Sequence, residues 1–312
     1  MGVSEPRGVP NAAFESYVEG AKPLRKPPWI RSGVASGGAV HELRELLRDL
    51  DLHTVCESAN CPNLAECWSH RTATLMLLGD VCTRSCGFFS VTTGKPRTLD
   101  TDEPERVADA AHRMGLQHVV LTSVNRDDLD DGGAAIFAET IHATRRRLPT
   151  CTIEVLIPDF QGNWDALQLV ADAAPDILNH NVETAPRLYP RVRPQAKFER
   201  SLEALRRAKE FGLVTKSGFM VGLGEERGEV AEVLGQLKAN SVDIVTVGQY
   251  LQPTPTHLPV HRYVTPGEFD EIAEIGRSMG FGHVESGPFV RSSYHAWDHA
   301  QNVLSNVLTS DA

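Results

Sequence analysis

The chain has 312 residues, 41% of them hydrophobic and 23% charged, which is enough to bury one large core or two ordinary ones. Its formal net charge of −10 argues against a general nucleic-acid binder, which needs a basic face for phosphate. No run approaches the roughly 20 apolar residues of a membrane span, and the first residues lack the basic-then-apolar order of a secretion signal, so a cytoplasmic protein with no membrane span is expected.

Residues 1–40 are rich in Pro and Gly without a period and read as an irregular N-terminal arm. "HELRELLRDLDL" (His41 to Leu52) predicts a short amphipathic helix leading into a cysteine-bearing segment, 41–71. From Thr72 apolar, β-branched runs alternate with helical ones. The strand-like runs are "TATLMLLGD", "HVVLTSVN", "TIEVLIPDF", "ILNHNVET", "VTKSGFMVGLG" and "DIVTVGQYL", and each is followed by a helical pattern, several stopped by a glycine such as Gly115, Gly212 or Gly280. The triplet Arg145, Arg146 and Arg147 reads as the solvated end of one helix. Six strand–helix units over 72–282 predict an α/β fold with a parallel sheet and right-handed crossovers, followed by a C-terminal extension, 283–312. A doubly wound sheet would gather its site at one switch point. Here nearly every strand ends in a polar or Gly-rich tail, which favours a curved, partial barrel whose loops converge on one mouth.

Five of six cysteines fall between Cys56 and Cys86, while Cys151 stands apart. In a reducing compartment such a cluster points to metal more than to disulfides. "CESANCPNLAEC" places Cys56, Cys61 and Cys67 so that three thiolates could hold three irons of a cubane; structural zinc is the alternative, although it favours close cysteine pairs and four protein ligands. "VCTRSCGFFSV" carries Cys82 and Cys86, but the position that would complete a C-x3-C-x2-C loop is Phe89. "GLGEE" is a glycine turn without the pattern of a phosphate cradle.

"VCESANCPNLAECW" resembles the auxiliary-cluster motif of lipoyl synthases, radical SAM enzymes that insert two sulfurs into an octanoyl chain. The likeness continues through "RKPPWIR", "TSVNRDDLDDGGA", "VLIPDFQGN", "HNVETAPRLYPRVRP", "LVTKSGFMVGLGE", "VTVGQYLQPTPTHLPVHRYVTPGEF" and "GPFVRSSYHA", from Arg25 to Ala296. The resemblance implies a partial parallel (β/α)6 TIM-type barrel of the radical SAM type. It implies that Cys56, Cys61 and Cys67 hold an auxiliary [4Fe-4S] cluster consumed as the sulfur source, with a serine of "RSSY" as fourth ligand: Ser293, with Ser292 the near alternative. It further implies a second [4Fe-4S] cluster on the loop of Cys82, Cys86 and the matching Phe88, which binds S-adenosyl-L-methionine and cleaves it to a 5′-deoxyadenosyl radical. The partners implied are octanoylated lipoyl carrier domains or glycine cleavage H protein, and an external electron donor.

Phe89 departs from this pattern. Its side chain has no lone pair, so one of three protein–iron bonds is lost, and the second cluster is expected to be absent, sub-stoichiometric or labile. Cys151 precedes the third strand, at the end of the barrel away from the loop, and reads as a buried or edge thiol. Asn181 and Glu183 alternate on one side of a strand end and are candidates for contacting S-adenosyl-L-methionine, with His180 on the other side as a structural residue. Arg191 and Arg193 have the charge to hold a carboxylate or an acidic carrier, or lie in an exposed loop; the basic "LRKPPWIR" either docks a carrier or packs through Trp29 and Ile30. A second functional reading is a non-catalytic or repurposed relative that keeps the auxiliary cluster and has lost radical generation.

Overall fold

A computed structural model describes residues 24–30, 38–58, 61, 63–69, 72–298 and 303. Seven parallel strands among them follow one another in chain order: β1 (Thr72–Leu77), β2 (His118–Ser123), β3 (Thr152–Leu156), β4 (Ile177–Asn179), β5 (Val214–Val221), β6 (Ile244–Gln249) and β7 (His283–Gly287). Helices cross over between them: α1 (Glu103–Arg113), α2 (Ala134–Arg147), α3 (Trp164–Asp172), α4 (Phe198–Glu210), α5 (Arg227–Ala239) and α6 (Pro266–Ser278). A two-residue strand, His53–Thr54, pairs antiparallel with Leu75 and Met76 on the outer side of β1, and β7 forms the other edge. The two edges do not pair, so the sheet is an open, partial barrel. This is the expected six-unit fold with one strand more: β7 pairs with β6 over five residues, although "HVESG" has no apolar run and every position is only half-buried.

The strands form where the sequence supplies apolar residues for both faces. All six residues of β1 and of β6 are buried, as in a parallel sheet with helices outside and side chains within. Capping boxes start α5 (Glu226 with Glu229) and α6 (Thr265 with Glu268), each satisfying otherwise orphaned amides. Gly115, Gly212 and Gly280, read as helix stops, have φ of 61°, 86° and 82°, which a side chain would oppose. Arg145, Arg146 and Arg147 do end α2, where they pair with Asp176, Glu105 and Asp109.

Charged residues close the inner end of the barrel. Lys216 of β5 donates to Glu154 of β3 at 3.0 Å, and Asn179 of β4 donates to the same carboxylate at 2.9 Å. His118 of β2 stands 3.6 Å from it, and all four residues are 0% exposed. Since β3 and β5 are not neighbours, the Lys216–Glu154 contact crosses the barrel interior. Burial opposes the Glu154 charge, but Lys216, His118 and Asn179 outweigh it and hold the carboxyl below its usual range.

Candidate functional site

At the opposite end, the strand tails and the segments before and after the barrel enclose a cavity of about 480 Å³. Cys56 and Cys61 open onto it together with Cys82, Cys86, Phe88 and Phe89, and Ser292 and Ser293 line it too. From the N-terminal arm, Lys26 and Ile30 reach its wall, and the Trp29 indole donates to the Val264 carbonyl at 3.1 Å. Trp29 and Ile30 therefore pack this arm against the barrel.

The first cysteine set is brought here by the strand His53–Thr54, which leads straight into the short helix Val55–Ser58 bearing Cys56. The Cys61 amide donates to the Cys56 carbonyl at 2.9 Å, and Cys67 lies in the helix Leu64–Ser69 behind them. Burial pushes the Cys56 thiol up to about 12, helped by the charge of Cys61. Cys67 is also pushed up to about 12, by burial and then by Cys56, Cys61 and Glu66. Cys56 is influenced by Cys61, and Cys67 by both, so the three thiols lie near one another, and a bound cation would favour their thiolate forms. Among the described residues no three Cys, His, Asp or Glu side chains close to the distances of a single-ion site. A cubane asks less, because each ligand binds a different iron.

The C-terminal segment closes over this set. Asn63 donates its side-chain amide to the Phe289 carbonyl at 2.6 Å, and Tyr294 donates to Glu66 at 3.3 Å. Thr74, in β1, donates to Ser293 Oγ at 2.8 Å and lies close enough to the Cys56 thiol to oppose the rise that burial causes there. Ser293 and the Cys56 thiol thus share Thr74 as a neighbour. Close approach of the segment depends on Gly248 of β6, where a Cβ would stand 2.1 Å from the Val290 carbonyl. Arg291, between these elements, carries a charge that acts on Cys61.

The second set sits on a loop fixed from three sides. Cys82 Sγ accepts from the amides of Arg84 and Asn125, each at 3.4 Å. Arg84 is buried and forms a bidentate pair with Asp127 at 2.6 and 2.7 Å, and it also reaches Asp159 at 2.7 Å. Asp159 in turn takes Arg200 from α4 at 2.8 Å. Gly87 donates to Val192 and accepts from Leu258, both at 2.9 Å, while His257 Nε2 lies 3.3 Å from the Phe89 carbonyl. Phe88 packs against the buried cluster of Leu188, Val192, Leu223, Tyr250 and Leu258. Burial pushes the Cys86 thiol up to about 11, with Arg193 opposing. The loop thus has a backbone arranged around two thiols, and at the third position it presents an aromatic ring 6.2 Å from that of Phe88. These residues do not fit a cubane with three cysteine ligands. Cys151 cannot supply one, because it is buried just before β3, at the far end of the barrel.

Asn181 and Glu183 both line the cavity, although β4 ends at Asn179 and neither lies on the strand itself. Glu183 has a left-handed φ of 65° and is held against β5 by its amide to Gly218 at 3.0 Å and its carbonyl from Met220 at 2.8 Å. Burial raises the Glu183 pKa, with Arg193 and Asn181 opposing. His180 borders the cavity as well, but both its ring nitrogens are engaged, with the Ile157 carbonyl at 2.8 Å and Ser201 at 2.9 Å. Arg193 is no exposed loop residue: it is 9% exposed and donates to the Asn181 carbonyl at 2.8 Å. The buried Oδ1 atoms of Asn125 and Asn181 and the hydroxyl of Ser123 have no hydrogen-bond partner among the described residues and belong to residues of the cavity wall. Such a wall suits a ligand rich in polar groups.

Residues 76–237 match the model of the radical SAM superfamily, and residues 12–61 match that of the N-terminal domain of lipoyl synthase of the radical SAM family. A protein of Rubrobacter xylanophilus called lipoyl synthase is 58% identical over 91% of this chain and 89% of its own length. The chain belongs to the lipoyl synthase family. Members of the same name from Symbiobacterium thermophilum and Koribacter versatilis are 59% and 53% identical, covering 90% and 94% of this chain and 88% and 97% of theirs. Among solved structures, Streptococcus suis SuiB bound to its precursor peptide SuiA superposes with a TM-score of 0.55 at 12% identity, over 72% of this chain, which spans about half (52%) of SuiB. HydG, a maturase of the [FeFe]-hydrogenase, gives 0.51 at 15% identity, over 85% of this chain and 71% of its own. At these identities the two structures speak to the fold alone. Among the described residues no helix is long and apolar enough to cross a membrane.

Proposed function

We propose that the chain is a lipoyl synthase, acting on an octanoyl-lysine of a lipoyl carrier domain or of glycine cleavage H protein. The observation that carries this reading is that Cys56, Cys61 and Ser293, from segments at opposite ends of the chain, face the same cavity as the Cys82–Phe89 loop. Cys56, Cys61 and Cys67 would hold an auxiliary [4Fe-4S] cluster with Ser293 as its fourth ligand, and when bound that cluster supplies sulfide for transfer. The oxygen of Ser293 is a harder ligand than a thiolate and is the one that would leave its iron most readily on protonation. The cavity, about 480 Å³, is within the range of small-molecule and cofactor sites. Asn125 and Asn181 offer acceptors toward a bound ammonium or hydroxyl group, and Glu183 can accept from the same donors. Lys26 and Ile30 at the wall would exclude water from the apolar chain.

The radical SAM superfamily works with a [4Fe-4S] cluster and S-adenosyl-L-methionine, and here the loop for that cluster lacks its third thiol. We infer that this half of the activity is weak in the chain as it stands, so that it would hold the auxiliary cluster and cleave little cofactor even with a good external electron donor. An anaerobic assay of iron and sulfide tests the reading: about four of each per chain are expected, by the ligand count of one cubane. Iron that survives replacement of Cys56, Cys61 and Cys67 by Ser would overturn it.

A further inference from the structure

Thr74 is the third residue of β1 and 3% exposed, paired with β2 on one side, while the two-residue strand His53–Thr54 runs along the other edge of β1. Its hydroxyl donates at 2.8 Å to Ser293 Oγ, 219 residues further along the chain. The same residue lies beside the Cys56 thiol, where it opposes the rise caused by burial. Ser293 itself belongs to a turn beyond β7, with no regular element to fix it. A hydroxyl has one proton and two lone pairs. Because Thr74 directs its proton at Ser293, the serine oxygen keeps a lone pair and its own proton for another partner.

We propose that Thr74 is the positioning residue for the oxygen ligand of the auxiliary site. It ties a loop serine to a rigid strand, so that the oxygen stays beside Cys56 whether or not it is bound to iron. This rests on the reading of Ser293 as a ligand, and it adds which residue makes that ligand effective. An oxygen that dissociates from iron rebinds quickly only if it remains within reach, and a hydrogen bond from a buried strand keeps it there. Without that bond the iron spends longer with three sulfide neighbours alone. It is then open to capture as ferrous ion, which leaves a three-iron, four-sulfide core without transfer of an electron.

The test uses the full chain, loaded anaerobically, and measures release of the first iron to a ferrous chelator together with the Mössbauer signature of the oxygen-bound iron. Thr74→Val keeps the branched shape and removes the hydroxyl; it should release the first iron about tenfold faster and weaken the signature, the effect of losing one buried hydrogen bond. Thr74→Ser restores the donor and should behave within about twofold of the parent. In a Ser293→Ala background, Thr74→Val should add nothing, because its effect passes through the serine. If Thr74→Val leaves release unchanged while Ser293→Ala accelerates it, Thr74 does not position the ligand and the proposal fails with the ligand reading intact. If Ser293→Ala itself changes neither release nor signature, the ligand reading fails. Equal loss in Thr74→Ser and Thr74→Val would show a packing role and overturn the proposal.

Discussion

The two cysteine regions of this protein share one cavity and are built on opposite principles. The first is assembled from distant parts of the chain: Cys56 and Cys61 come from the segment before the barrel, and Ser293 from the segment after it, joined by the Asn63–Phe289, Tyr294–Glu66 and Thr74–Ser293 bonds. The second is local, the stretch Cys82–Phe89 within the connection from β1 to α1, held by the buried guanidinium of Arg84 and by hydrogen bonds of Gly87. The first keeps its thiols and its serine. The second has a firm scaffold, including the donors to Cys82, but presents a phenylalanine, Phe89, three residues after Cys86. Scaffold and ligand are therefore separable: the Arg84, Gly87 and Phe88 contacts that shape the loop do not require a thiol at position 89.

The largest effect should come from erasing the difference. Phe89→Cys, reconstituted anaerobically, should raise iron from about four to about eight per chain, and cleavage of S-adenosyl-L-methionine should appear with it. The comparison collapses if the unaltered protein already carries the higher iron and cleaves the cofactor at the restored rate. Next in size is Arg84→Met, which removes one partner from a buried ion pair and leaves Asp159 with Arg200 alone. A loss of about 3–5 kcal/mol in unfolding free energy is expected, measured by denaturant titration, with iron at the first site unchanged. A loss under about 1 kcal/mol would mean that the clamp does not hold the second loop.

Ser293→Ala should still allow a cluster to form at the first site but should cut lipoyl product by about tenfold or more in a Phe89→Cys background, the scale of a disturbed metal shell. Ser292→Ala should be milder, and the reverse order would exchange the two serines. The smallest expected effect is on acid stability. Burial raises the Asp159 pKa, but Arg84 and Arg200 outweigh it and hold the carboxyl below its usual range. The unfolded chain then binds more protons than the folded one near pH 4, so stability is complete above that range and is lost as pH falls through the folded value. Urea midpoints of the metal-free chain should decline steadily below about pH 4. Asp159→Asn should flatten that slope, and an unchanged slope would contradict the assignment.

Most of the barrel was legible because parallel strands covered on both faces must be written as apolar runs, and "TATLML" or "IVTVGQ" admits few other readings. β7 was not legible, since a polar five-residue edge strand satisfies its backbone without an apolar signature. Charged residues within strands gave no signal of their own: nothing in the sequence pairs Lys216 with Glu154, and only the barrel brings β5 and β3 close enough for that contact. At the site, the spacing of Cys56, Cys61 and Cys67 carried chemistry by itself, and so did the polar strand tails. Thr74 and Arg84 carried none. Their partners lie 219 and 75 residues away, and a threonine in an apolar strand or an arginine between two cysteines has no local pattern that announces them.

The distance from Thr74 to Ser293 also sets an order in time. A ribosome adding about 5–20 residues per second needs roughly ten to forty-five seconds to pass from one to the other. During that interval the three cysteines of the first set are already synthesised, while the serine that closes over them does not yet exist. Delivery of iron and sulfide to the nascent chain would meet an open three-thiol cup. Delivery after release would have to pass the segment that Gly248 lets settle into place. A nascent chain stalled before residue 283 should therefore accept a cluster faster, and surrender it faster, than the finished protein.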